Sequence, residues 1–560
     1  MGRFQEKLKT TAVITRSGLR VLALMLAILA TATVAWSQTG DARTPSGPAA
    51  RATAAAVVDD SARLVSEFEV NGLRVLLKRR EGNQTVVAGL YIRGGSRNIT
   101  PTNAGIEALM LDVATEASAN FPRERFRREL SRTGTVITYG INYDYAALML
   151  GSTRQHFEKG WEIFADAALR PSFASDDFQR VKQRQLIGLS DDEDTPDSYL
   201  QVLLARAAYA GHPYLNDPRG TAQSVSALTV DDLKRYHQQI MQTSRLLLVI
   251  VGDLELAQVR RMVETTFGKL PRGNYKDVAV PPLSFSASTV TFTPREIPTN
   301  YVKGVFSAPP PTSPDIYPLQ IASSILQNRV FVEVRAKRNL SYAPDAFLGT
   351  QAANTGGIYV TAVDANQAVR LMLEEITRLQ RDEVTAEELL GTTQHFLTRY
   401  YLGQETNGAQ AGELAQAELI GGGWRNSAQF IERLRAVTAA DVKRVSQLYM
   451  RNLRFVVIGN PKSIDPNVFT GRADVSSGRM SGTGDRVSET RCQIRCQMSG
   501  LRTLRGSLMG LAPDTRYDMR PPSPDPRCPT PLVLHPSSFP FAHQSGKQSL
   551  IQLLERPCRG

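Results

Sequence analysis

Apolar residues recur along this 560-residue chain with two different spacings, which predict strands alternating with helices. β-Branched residues at alternating positions favour strands, whereas longer stretches rich in Ala, Leu and Met favour helices. The predicted strands are the apolar runs at 72–78, 86–96, 136–139, 146–150, 246–252 and 455–459. The predicted helices include 104–118, 155–170 and one that begins at a Ser175 cap. This mixture predicts an α+β fold.

An internal repeat divides the pattern into two copies. The sequence LTVDDLKR at 228–235 recurs as VTAADVKR at 437–444, which is an offset of 209 residues (438 − 229). Each copy opens with a Thr-x-x-Asp capping pattern, continues as a helix, and ends in an apolar strand closed by glycine. The chain therefore predicts two tandem homologous units, each with a mostly antiparallel sheet covered by helices.

Composition shifts mark the boundaries between predicted segments. A stretch rich in Pro, Gly and charge, without a periodic apolar face, predicts a linker between the units. The last part of the chain is dominated by Arg, Pro, Ser and Gly, which predicts disorder. The predicted segments are a signal peptide at 1–37, a flexible lead-in at 38–63, a first unit at 64–270, a linker at 271–288, a second unit at 289–468 and a disordered tail at 469–560.

The N-terminus predicts export. Basic residues from Arg3 to Arg20 precede an apolar run at 21–30, and small residues follow up to Ser37. This order is typical of a secretory signal peptide, with cleavage after Ala35 or Ser37 and a periplasmic or otherwise exported product. The alternative is an uncleaved segment that anchors the chain, which would be its one contact with a membrane.

Charge and cysteine content argue against nucleic-acid binding and against a cysteine zinc site. The net charge of +12 raises the question of nucleic acid, but no compact Lys/Arg cluster with interleaved aromatic residues is present, so nucleic-acid binding is not expected. All four cysteines lie in the tail, where their spacing fits no zinc pattern. The folded units therefore depend on no disulfide. The tail itself is consistent with a read-through or frameshifted end of the reading frame.

The first strand pair, the glycine turn at 94–97 and the helix that opens near 104–106 resemble the first half of an M16 metallopeptidase unit. This family, pitrilysin-like and mitochondrial-processing-peptidase-like, has the LuxS/MPP-like fold, in which two units face each other as a clamp around an extended peptide. The fold class that the resemblance implies here is the same two-unit clamp.

The resemblance also locates the zinc motif of active members, H-x-x-E-H, and shows that this chain lacks it. Its three chemical positions correspond to Ala108, Leu111 and Asp112, and the glutamate that supplies a third zinc ligand corresponds to Gly188. Ala, Leu and Gly can neither bind zinc nor move a proton. We therefore expect no catalytic residue, no bound metal and no cofactor in this chain, with zinc only in a partner subunit.

A segment in the second unit resembles a substrate-contacting motif of the family, L-R-x-x-x-x-L-x-Y. Arg335 and Tyr342 occupy its arginine and tyrosine, Leu340 matches, Val334 replaces the first leucine, and Asn339 stands where glycine is common. The resemblance implies that Arg335 and Tyr342 bind the substrate backbone. The structural alternative is that Arg335, Lys337 and Arg338 form the solvent-exposed face of a helix and that Tyr342 packs at a strand edge.

Two functions follow. The first is a non-catalytic M16 subunit that pairs with a zinc-bearing M16 peptidase as a heterodimer and contributes the Arg/Tyr half to hydrolysis of an extended peptide. The alternative is a stand-alone periplasmic peptide-binding or scaffold protein, which holds extended chains at a sheet edge without cutting them.

Overall fold

The computed structural model describes residues 64–471. The predicted signal peptide, the lead-in and all four cysteines lie outside these residues, as does the tail from residue 472 onward. Within 64–471, no helix combines the length and apolar character that a membrane crossing requires.

The first unit is built on a six-stranded sheet with the order β1-β2-β6-β3-β5-β4. Neighbouring strands are antiparallel except for β2 and β6, which are parallel. Strand β4 forms one edge of this sheet and β1 the other. The strands are β1 (Val65–Val70), β2 (Leu73–Arg79), β3 (Thr85–Arg93), β4 (Val136–Ile141), β5 (Tyr145–Thr153) and β6 (Leu246–Gly252).

Eight helices belong to the described part of the first unit. They are α1 (Ile106–Ala114), α2 (Arg123–Thr133), α3 (Phe157–Leu169), α4 (Ser175–Asp194), α5 (Pro196–Ala208), α6 (Ala222–Ala227), α7 (Val230–Ile240) and α8 (Leu256–Thr265). The predicted cap at Ser175 is wrong: Ala174 precedes the helix, and Ser175 is its first residue. Its acidic neighbours Asp176 and Asp177 do lie in the first turn, where the helix dipole favours negative charge.

The second unit repeats this plan with five strands in the order β7-β11-β8-β10-β9. Here β7 and β11 are parallel and the other pairs are antiparallel. The strands are β7 (Thr289–Pro294), β8 (Asn300–Ser307), β9 (Asp345–Leu348), β10 (Thr355–Ala362) and β11 (Arg454–Gly459). The helices are α9 (Ile316–Val330), α10 (Ala365–Arg381), α11 (Ala386–Gly403), α12 (Asn407–Ile420), α13 (Phe430–Arg435), α14 (Ala439–Tyr449) and α15 (Pro466–Thr470).

The predicted repeat is confirmed at its capping boxes. The Thr229 hydroxyl accepts from the backbone N–H of Asp232 at the start of α7, and Thr438 accepts from Asp441 in the same way at the start of α14. In both copies the threonine backbone N–H donates a hydrogen bond to the aspartate carboxylate. Each helix then leads into a central strand, β6 or β11, so the repeated sequence builds the same local structure twice.

Each unit covers the outer face of the other unit's sheet. Helix α12 of the second unit packs on β3 and β6, and its Ala411 and Leu414 belong to the same apolar cluster as Leu247 and Val249 of β6. Helix α5 of the first unit packs in the same way on β8 and β11 through Leu200. Because both faces of β6 are covered, all seven of its residues are buried, which explains its unbroken apolar sequence.

The predicted linker and the predicted end of the second unit fall within residues 64–471. Residues 271–288, the predicted linker, contain neither helix nor strand, and Phe285 within them is buried against both units. Helix α15 crosses the predicted end of the second unit at residue 468. Its Phe469 is buried edge-on against the ring of Phe455, so the folded unit continues past that boundary.

Candidate functional site

Helix α1, which carries three of the four degenerate zinc-motif positions, is almost entirely buried. It begins after Gly105, whose φ of +90° is a left-handed conformation. A Cβ at that residue would lie 2.8 Å from the Arg219 carbonyl oxygen, so only glycine fits this close approach. Ala108 and Leu111 are each 4 % exposed, and Leu111 is part of the main apolar core. Both positions therefore contribute packing.

A buried polar group fixes the position of α1. The carboxylate of Glu107 accepts a hydrogen bond of 2.6 Å from the Tyr236 hydroxyl and lies 3.4 Å from the Arg245 guanidinium. Burial raises the pKa of Glu107, while Arg245 and Tyr236 act against that rise. The contacts join α1 to α7 and to the start of β6, so the helix has little freedom to shift.

Asp112, at the position of the second histidine, is paired with an arginine. The Arg184 guanidinium donates to its carboxylate at 2.8 Å, and Arg184 lies on α4 one turn before Gly188. A Cβ added at Gly188 would contact nothing within 4 Å. Helix α4, which corresponds to the helix of the third zinc ligand in the family, thus places a cation beside α1. One carboxylate paired with an arginine, without a histidine or a second carboxylate at the other motif positions, does not fit zinc.

No group of three or more His, Cys, Asp or Glu side chains anywhere in residues 64–471 is arranged to hold a metal ion. Three of the four degenerate positions lie on α1 and the fourth, Gly188, lies on α4, and the Arg184–Asp112 ion pair joins the two helices. Their arrangement leaves one carboxylate, and an arginine neutralises it.

The environment of Asp112 raises its pKa. Burial is the largest cause; the Arg184 ion pair and a hydrogen bond from Tyr139 of β4 act in the opposite direction. Because the folded state then binds the proton more tightly than the unfolded chain, stability falls as pH rises from the ordinary aspartate pKa of about 3.9 to the raised native value.

Replacing Asp112 with asparagine is therefore expected to change the pH dependence of stability. The variant should gain stability relative to the wild type between about pH 4 and pH 7, because it lacks the buried carboxylate that must ionise. Arg184 stays partly solvated and keeps a contact with Glu116 at 3.5 Å, so the change leaves no buried unpaired cation. Urea unfolding at both pH values measures the difference. A difference that shrinks towards neutral pH would contradict this account.

Arg335 and Tyr342 lie together in the second unit. A π-helical turn at Phe331–Ala336 follows α9 and contains Arg335. Its guanidinium stacks 4.1 Å from the centre of the Tyr342 ring and donates to the Tyr342 carbonyl oxygen. Tyr342 is 72 % exposed, so its ring does not pack at a strand edge as the structural alternative expected. The stacking holds both side chains in one exposed arrangement.

The neighbouring basic residues Lys337 and Arg338 lie on the solvent-exposed surface, as the structural alternative predicts. Lys337 and Arg338 both pair with Glu333 on the surface of the same turn. Arg335 differs from them because it forms no ion pair with Glu333 in this structure and instead lies over two aromatic rings, those of Phe331 and Tyr342. The structure thus separates Arg335 from its basic neighbours.

Asn339 preserves the turn for which the family often uses glycine. Its φ is +50°, in the left-handed region that asparagine tolerates better than most residues. Its backbone N–H donates to the Arg335 carbonyl oxygen at 3.0 Å, which closes the turn. The substitution therefore leaves the local backbone intact.

Sequence patterns missed two features of the site. Arg184 was not singled out, although it lies one turn before Gly188 on the same helix. The π-helical turn was missed because its sequence continues the apolar pattern of α9. Such turns are rare and often lie at functional sites.

Two family descriptions match this chain, one within the first unit and one that runs from the end of the first unit into the second. "Insulinase (Peptidase family M16)" matches residues 74–221, and "Peptidase M16 inactive domain" matches residues 227–392. Together these matches cover most of the described residues.

Individual proteins show the same likeness. The mitochondrial-processing peptidase subunit beta of Blastocladiella emersonii is 24 % identical over 415 residues, which are 70 % of this chain and 87 % of that protein. The non-peptidase homolog YmxG of Helicobacter pylori is 20 % identical over 214 residues, which are 38 % of this chain and 50 % of that protein.

A solved structure agrees in fold. The crystal structure of a peptidase M16 inactive domain from Pseudomonas fluorescens has a TM-score of 0.66 at 19 % identity, and the match covers 71 % of this chain and 98 % of that one. Combined with the substituted zinc motif, these matches lead to one conclusion: the chain belongs to the M16 peptidase family as an inactive homologue.

Proposed function

We propose that this chain is the non-catalytic subunit of a two-chain M16 peptidase and supplies the Arg335/Tyr342 half of the substrate site. One observation carries the proposal. The metal positions have become packing residues and an ion pair, while Arg335 and Tyr342 remain stacked and exposed. A protein that had lost every role in peptide chemistry would have no use for that arrangement.

The two side chains are suited to hold a peptide backbone. Arginine presents five N–H donors, and the tyrosine hydroxyl can donate to a carbonyl oxygen. Donors fixed next to a scissile bond stabilise the negative charge that develops on its oxygen. In this proposal the zinc and the general base belong to the partner subunit, and this chain needs no cofactor. A relative whose name marks it as a subunit of a processing peptidase supports a paired assembly.

A second candidate is a stand-alone peptide-binding or scaffold protein, and the edge strand β4 favours it. β4 pairs only with β5 within the first sheet, so its other side presents backbone donors and acceptors. An extended peptide can add to such an edge through main-chain hydrogen bonds. In either case we place the protein outside the cytoplasm, on the strength of the predicted signal peptide.

Reconstitution distinguishes the two candidates. The chain is mixed with a zinc-bearing M16 homologue, and cleavage of an internally quenched peptide is followed for each protein and for the mixture. The paired-subunit proposal expects a stable complex and cleavage that requires both chains. A chain that binds the peptide but forms no complex and never raises cleavage would instead support the stand-alone function.

A further inference from the structure

Four arginines surround one carboxylate beside the degenerate metal position. Glu116 lies 2.9 Å from Arg127, 3.4 Å from Arg180, 3.5 Å from Arg184 and 3.7 Å from Arg123. Arg123 and Arg127 come from α2, and Arg180 and Arg184 come from α4. We refer to these four residues as the arginine cluster.

Three carboxylates pair with the arginine cluster, and they are more deeply buried than the arginines. The side chains of Glu116, Asp112 and Asp177 are only 7–13 % exposed, whereas those of the cluster are 29–58 % exposed. Four guanidinium groups against three carboxylates leave one positive charge in excess. Each arginine also has five N–H donors, of which the carboxylates occupy only some. The face presented to solvent is therefore cationic and rich in donors.

The cluster is joined to the free edge of the first sheet. Arg184 pairs with Asp112 of α1, and α1 packs against β4, where Tyr139 lies near Asp112. The β4 strand is the edge strand whose outer side can accept a peptide. A chain added along β4 would thus run next to the arginine cluster. This proximity connects a backbone-binding edge with a side-chain-binding surface.

We propose that the arginine cluster binds an acidic side chain of an extended peptide that pairs with β4. The inference rests on the second candidate function, in which a peptide binds at the β4 edge, and adds the class of substrate. Guanidinium groups bind carboxylates through paired, charge-assisted hydrogen bonds, and a fixed group of them favours a planar anion. A peptide fits this surface better than a nucleic acid because the neighbouring β4 edge offers main-chain hydrogen bonds and the cluster offers no aromatic ring for base stacking.

Fluorescence anisotropy with a pair of labelled peptides tests the inference on the full chain. Both peptides have amidated C-termini and differ only in that each glutamate of one is glutamine in the other, so any preference arises from side-chain carboxylates. We expect the acidic peptide to bind about tenfold more tightly, since charge-assisted hydrogen bonds exceed neutral ones by that order. The preference should decrease with added salt, because the cluster is partly exposed.

Two substitutions locate the effect. Arg127→Gln should remove most of the preference, because Arg127 is the most exposed member of the cluster and pairs with Glu116 alone. Arg132→Gln is the matched control on the same helix: its guanidinium pairs with Glu129, outside the cluster, so the preference should remain. Circular dichroism and urea unfolding verify that both variants fold. Should Arg127→Gln not fold, Arg127→Lys serves instead, with a weaker preference expected because lysine lacks the paired geometry.

The possible outcomes separate the two proposals. Equal affinity for the acidic and neutral peptides would overturn the inference and leave peptide binding standing. No binding of either peptide, alone or in the presence of the zinc-bearing homologue, would overturn the proposed function itself. A preference that survives Arg127→Gln, or a single-stranded oligonucleotide that binds more tightly than the acidic peptide, would also overturn the inference.

Discussion

Replacing Arg335 with alanine is expected to lower kcat/KM of the reconstituted two-subunit peptidase by about 10²- to 10³-fold, the usual effect of losing one preorganised donor at an oxyanion. The structure gives the reason. Arg335 is held by stacking on Tyr342 and by donation to the Tyr342 carbonyl oxygen, so its position is set before substrate arrives. Initial rates with the quenched peptide measure the loss.

Two companion variants make the result specific. Arg338→Ala removes a cation three residues away that pairs with Glu333 on the surface, so it should leave cleavage nearly unchanged. Tyr342→Phe retains the ring on which Arg335 stacks and removes only the hydroxyl. Its effect on kcat/KM therefore measures the hydrogen bond that the hydroxyl donates to the substrate, apart from the positioning of Arg335 by the ring. Full activity in Arg335→Ala and in Tyr342→Ala would refute the role assigned to the pair.

Replacing Trp424 with alanine is expected to destabilise the folded chain by about 3–5 kcal/mol, as is typical when a large buried aromatic side chain is removed. Trp424 is 4 % exposed and packs with α12 against the sheet of the first unit. Its indole N–H donates to Glu67 at 3.0 Å, and its backbone N–H donates to Glu418 at 3.0 Å. The substitution would remove apolar contacts and leave Glu67 with fewer donors at the junction of the two units.

The adjacent Arg425 provides the control. Its guanidinium pairs with the same Glu67 at 2.8 Å, but its side chain is 68 % exposed. Exposed ion pairs contribute about 1 kcal/mol or less, so Arg425→Ala should shift the urea midpoint far less than Trp424→Ala. Equal shifts for the two variants would show that the indole does not support the junction as described.

The strands β2 to β6 and β11 and the repeat could be predicted because they depend on local pattern. The capping threonines Thr229 and Thr438 act within a few residues of themselves, and alternation along a strand reports which faces are covered. Alternation does not report what covers them. The unbroken apolar sequence of β6 indicates two covered faces, but it could not show that one cover is α12, more than 150 residues later in the chain.

Only part of the candidate site could be predicted, because only part of it depends on local sequence. The absence of ligands at Ala108, Leu111 and Gly188 can be read directly from residue type. The pairing of Asp112 with Arg184 could not, because it depends on how α4 lies against α1. The resemblance to the family motif singled out Arg335 and Tyr342 together, whereas their stacking depends on a π-helical turn that residue periodicity does not reveal.

The most direct test of the central claim is the zinc content of the purified chain after incubation with zinc and buffer exchange, measured together with its peptidase activity. The account predicts substoichiometric zinc and no cleavage by the chain alone, with both zinc and cleavage present in the complex with the zinc-bearing homologue. One tightly bound zinc per chain, accompanied by cleavage in the absence of any partner, would contradict it.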